Sequence, residues 1–203
     1  MKNSIRILLF CLLGLNIAQA QEMKTNAGNM FDPRISFISP AALGFGDVTR
    51  LVVGYNMYYQ GIAGDGLRNG FAAFSLPDGK FGSFGLIGEH FTSNNFQQGD
   101  YRFGYSQSFF NNKIRLGLEL GVIYLSYNSD KFQGVDLNDP VFQQTTSKSS
   151  FNIGSSIFIN PVHSLYAGIS VRHLNRPNAS LIGEDVRIPT KIQKGIFIPT
   201  YSP

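Results

Sequence analysis

The sequence has almost no cysteine, no tryptophan and little charge. Its single cysteine is Cys11, so a disulfide scaffold, a cysteine-based metal site and a thiol nucleophile are all excluded from the chain beyond it. Charged residues make up 15% of the chain and form no run of one sign. A nucleic-acid surface needs a basic patch, so no nucleic-acid partner is expected. The three histidines, His90, His163 and His173, stand apart from one another. A metal site calls for close ligand spacing, so no metal and no cofactor is expected. No Gly-x-Ser-x-Gly elbow occurs. Ser170 near His173, and Ser164 near His163, are weak hints of a barrel-borne lipid hydrolase. No catalytic residue is assigned, and the protein is read as not an enzyme. Gly61, Gly64 and Gly66 lack the Lys-Ser/Thr that completes a phosphate loop, and Asp65 alone is too few carboxylates for calcium.

Long apolar runs are missing too. After Ala20 no stretch approaches the ~18 apolar residues of a transmembrane helix. The only apolar core is Ile7 to Leu15. It follows the cations Lys2 and Arg6 and precedes Ala18-Gln19-Ala20. This is the layout of a cleaved export signal over residues 1–20, with a mature start at Gln21. Without Lys2 and Arg6 the formal charge of +4 falls to about +2.

What the chain does have is 22 Gly, 18 Phe and 9 Tyr, at a mean hydropathy of −0.03. A transmembrane strand shows only alternate residues to lipid, so aromatic and apolar content coexist with a neutral average. Alternation is in fact the main signal. In residues 113–127 one face reads Ile114, Leu116, Leu118, Leu120, Val122, Tyr124, and the other Lys113, Arg115, Gly117, Glu119, Gly121. At ~3.4 Å per residue such a strand is ~50 Å long, enough to cross a membrane at a tilt. Residues 50–59, 68–76, 80–91, 99–109, 151–159, 165–171 and 191–198 repeat the pattern less cleanly. About eight strands are therefore expected, in an all-β, antiparallel transmembrane barrel of the outer-membrane type.

Connections between these segments fall into two classes. Residues 60–67, 92–98, 128–148 and 175–190 read as loops, and residues 77–79, 111–112 and 160–163 as tight turns. Strict alternation of short turns and longer loops is the plan of outer-membrane barrels, and it puts the long loops outside the cell. Tyr58, Tyr59, Phe91, Tyr101, Tyr124 and Tyr127 then lie near outer strand ends, with Phe109 and Phe110 near an inner end, as girdle residues would.

The best functional candidates are charges on the small or polar side of the strands: Glu89, Arg102, Lys113, Arg115, Glu119 and Arg172. A charge facing lipid at mid-membrane costs ~2–4 kcal/mol, so these are expected to face the lumen, either pairing there or plugging it.

Two stretches resemble a known family. Phe31-Asp32-Pro33 and Ser39-Pro40-Ala41-Ala42-Leu43-Gly44 precede the first strand. Tyr166-Ala167-Gly168-Ile169-Ser170-Val171 runs into Arg172-His173-Leu174-Asn175-Arg176-Pro177. Both are similar to the PorP/SprF outer-membrane proteins of the Bacteroidetes type IX secretion system. Ser39 stands where the family usually has Asn, and Asp139-Pro140 matches a family dipeptide. The resemblance implies a protein of the outer membrane, in contact with its lipid, working with secretion and gliding components on the export or anchoring of a surface adhesin. The alternative from residues alone is a porin or small-molecule transporter. The organisation expected is a signal peptide at 1–20, a periplasmic lead-in at 21–48 and a barrel over 49–203. The family is usually longer, so a C-terminally truncated barrel is expected.

Overall fold

A computed structural model describes residues 39–45, 48–58, 66–127, 147–162, 165–181 and 185–197. Eight strands follow one another in a single sheet: β1 Arg50–Tyr58, β2 Leu67–Ser75, β3 Ser83–Thr92, β4 Phe96–Phe109, β5 Ile114–Tyr127, β6 Ser147–Val162, β7 Leu165–Arg172 and β8 Lys191–Phe197. Spatial order equals sequence order, and every pair is antiparallel. The sheet curls into a half-barrel, the all-β meander that the alternating pattern predicts.

Burial runs opposite to that of a water-soluble protein. Leu51, Val53, Leu86, Leu118 and Leu120 are exposed on the convex face, while Arg102, Arg115 and Glu119 are buried on the concave one. Leu118 is 57% exposed and its neighbour Glu119 is 1% exposed. Since successive side chains point to opposite faces, one register puts Leu116, Leu118, Leu120 and Val122 of β5 outward and both of its charges inward, with Ile123 and Leu125 following the charges onto the buried face near the strand's end. The outward band continues through Phe84, Phe103, Ile157 and Ile169. On β8 it admits one charge, Lys194, between Ile192 and Ile196.

One turn departs from expectation. Residues 92–98 were expected as a loop, yet β3 runs to Thr92 and β4 begins at Phe96. Strict alternation of short and long connections therefore fails here. The physical reason is a closed turn: Ser93 N donates to Phe96 O at 2.8 Å, and Phe96 N donates back to the Ser93 hydroxyl at 3.0 Å. Asn94 and Asn95 at its tip are residues that turns favour. At residues 110–112 the expected tight turn is present, with Phe110, Asn111 and Asn112 all at positive φ.

Residues 39–45 do not lie apart from the sheet. They form a 3-10 turn at Pro40–Ala42 on the concave face, packed against β4, β5 and β6. Ala41, Ala42 and Phe45 share a small core with Phe158 of β6, and Tyr166 of β7 packs against it.

Candidate functional site

Four of the inward charges, from three strands, close into a ring. Arg102 on β4 places Nη1 3.2 Å from Glu119 Oε2 on β5, and Nε 3.3 Å from Asp100 Oδ1. Arg172, at the end of β7, places Nη2 2.8 Å from Asp100 Oδ2 and Nε 3.4 Å from Glu119 Oε1. Each cation thus faces both anions. The Arg102 and Glu119 side chains are 1% exposed, so each buried charge is held by its partners in the ring.

Glycines on the neighbouring strands make room for these long side chains. Arg102 lies over Gly121, and Glu119 lies over Gly154 of β6. A side chain at Gly154 would meet the Glu119 carboxylate. Arg172 therefore reaches Glu119 and Asp100 across β6 because β6 is bare at that level.

Beside the ring sits His173, whose Nδ1 is 2.9 Å from Oδ1 of the buried Asn152. Burial, and then the adjacent Arg172 charge, hold its pKa below the ordinary histidine value. His173 is thus paired with Asn152, and the Ser164 and His163 pair lies outside the described residues.

The remaining candidates sit elsewhere. Arg115 forms a second cluster at the opposite strand end. Its Nη2 donates to Asp78 Oδ2 at 2.9 Å, Ser108 donates to the same oxygen at 2.6 Å, and its guanidinium lies 4.9 Å from the Phe45 ring centroid. Glu89 accepts a hydrogen bond from Asn69 Nδ2 at 2.9 Å and is not part of the ring. Lys113 lies exposed in the turn before β5, one residue short of the strand. Sequence reasoning missed Asp100 and Asp78. Asp100 shares its face with Arg102, two positions on, and that parity was the available signal. Asp78 belongs to a turn, where parity says nothing.

The exit from β7 is built with equal care. His173 and Arg176 both take positive φ, which swings the chain back along β6. There Leu174 N donates to Ile153 O at 2.9 Å. The Asn175 amide accepts from Ile153 N at 3.1 Å and donates to Phe151 O at 2.6 Å. One side-chain amide thereby replaces a strand's peptide group where β7 no longer pairs with β6. Farther along, Lys148 and Ser150 donate to the carbonyls of Ser180 and Asn178, so residues 177–180 are tied to the concave side of β6.

The model of the type IX secretion system membrane protein PorP/SprF matches residues 25–194. The chain belongs to the PorP/SprF family. No curated protein and no solved structure matches it. The PorP/SprF-like stretches now have places. Residues 39–44 occupy the concave face, and residues 172–177 close the ion ring and cap the β6 edge. Asp139-Pro140 lies outside the described residues.

Proposed function

We propose that this PorP/SprF protein is a non-enzymatic outer-membrane component of type IX secretion, exported through a cleaved signal peptide, that helps to export or anchor a surface adhesin. The observation that carries the reading is the family match over residues 25–194. The half-barrel with its apolar convex band supports a seat in lipid. The long connections at one end, residues 128–146 and 173–190, are the surfaces on which we place contact with secretion partners and cargo, outside the cell.

A porin or transporter is the competing reading. Against it stands the concave face, where the inward charges neutralise one another and the chain's own residues 39–45 take up space. Deletion of the gene separates the two. The secretion reading expects loss of adhesin display or gliding, and co-purification of the protein with secretion components. Altered solute uptake with normal surface display would overturn it.

A further inference from the structure

We infer that the concave face of β3 to β7 is a peptide-binding track, and that residues 39–45 are its resident, displaceable occupant. The inference rests on the barrel fold and stands apart from the secretion reading.

The track is shaped for a polypeptide backbone. Gly117 lies directly beneath Ala41, where any Cβ would strike the Ala41 backbone. Gly85 and Gly104 lie beneath Leu43, and a Cβ at Gly104 would come within 2.6 Å of Leu43 Cδ1. These three glycines sit on β3, β4 and β5, all facing inward. Ser156 on β6 accepts the Ala41 amide at 2.8 Å. At the far end Phe45 enters an aromatic corner, edge-on to Phe158 at 5.4 Å and to Tyr166 at 5.1 Å, beneath the Arg115 guanidinium. The ligand class is thus a short peptide of small residues ending in an aromatic ring.

Docking satisfies shape better than polarity. Ser83 and Ser106 are 0% exposed, and neither hydroxyl has a hydrogen-bond partner among the described residues; the same holds for the Ser39 hydroxyl. Ser83 Oγ points at Gly44, 2.7 Å from where a Cβ would stand. Buried hydroxyls without partners penalise the docked state. Among the described residues no strand ladder ties the segment to the sheet: its backbone bonds are the turn contacts from Ala42 to Ser39, Leu43 to Pro40 and Phe45 to Ala42, and its Phe45 carbonyl accepts from the Arg50 side chain. Apolar contact offset by stranded hydroxyls is the balance of a segment that can leave and be replaced.

Cys11 is the only native cysteine, so in a Cys11→Ser background a reporter cysteine reads the track directly. Ser106→Cys is placed in the full-length protein in detergent micelles and challenged with a water-soluble maleimide. In the native background labelling is slow. Ala41→Arg, too large for the track, is expected to raise the rate by about tenfold or more. A synthetic peptide with the sequence of residues 39–45 should then slow it again. Unchanged labelling in a folded, heat-modifiable Ala41→Arg barrel overturns the inference, as does failure of the peptide to protect. Should Ala41→Arg not fold, Ser156→Ala removes only the hydrogen bond to the Ala41 amide. A several-fold rise is expected there, and no rise overturns the inference.

Discussion

Arg172 and Asp100 are separated by 72 residues, yet Arg172 Nη2 lies 2.8 Å from Asp100 Oδ2. The contact joins β7 to β4 across the concave face, over two intervening strands. With Arg102 and Glu119 it closes a ring whose formal charges cancel.

Removing one member leaves the ring unbalanced. Glu119→Leu strands two buried guanidinium groups on Asp100 alone, and breaking a buried pair in this way costs about 3–5 kcal/mol. The variant should unfold at clearly lower urea than the parent. Combining Glu119→Gln with Arg102→Gln should cost less than the sum of the two single changes. Strict additivity would show that the ring does not act as a unit.

Charge should matter on the convex band of β5 and little in the turn that precedes the strand. Leu118→Arg puts a cation on the convex band and is expected to cost about 2–4 kcal/mol of folding into lipid vesicles. Lys113→Leu, in the exposed turn of the same hairpin, should change stability by less than about 0.5 kcal/mol. Folding titrations into vesicles measure both.

Asn175→Ala deletes the side-chain amide that caps β6. The Ile153 amide loses its acceptor and Phe151 O its donor, at about 0.5–1.5 kcal/mol for each bond. Hydrogen exchange at Ile153 should accelerate by roughly tenfold, while strands β3 to β5 keep their protection. Exchange at parental rate would refute the capping role.

Acid should weaken the turn after β7. His173 has a folded pKa below its ordinary value of 6.5, so the unfolded chain binds the proton more readily. Its contribution to stability is complete above about pH 6.5 and declines as the pH falls through the folded value. Thermal midpoints between pH 8 and pH 4 should therefore drop less in His173→Gln than in the parent. Parallel pH profiles would show that His173 does not contribute.

Much of the fold is legible in the residues because a strand has a period of two. In β5 the apolar Ile114 to Val122 series and the Arg115 to Gly121 series cannot both face lipid, and so the faces of Arg102, Arg115, Glu119 and Arg172 follow without coordinates. The same rule identifies Gly117, Gly121 and Gly154 as inward but gives them no purpose. Lys113 shows its limit: the parity is right, but the strand starts one residue later. The connection after Thr92 shows another, since the Ser93 and Phe96 hydrogen bonds decide whether Asn94-Asn95 is a turn or part of a loop.

Pairing on the concave face was settled by tertiary structure alone. Alternation fixes which face a side chain takes, while the curl of the sheet and its stagger fix which strands lie within reach across it. Local sequence therefore determined a barrel-type sheet with an apolar face outside and charge inside. Only the curled sheet brought Asp100 to Arg172, set glycines under Arg102 and Glu119, and laid residues 39–45 on Gly117, because those contacts join segments with no shared periodicity and long separations in the chain.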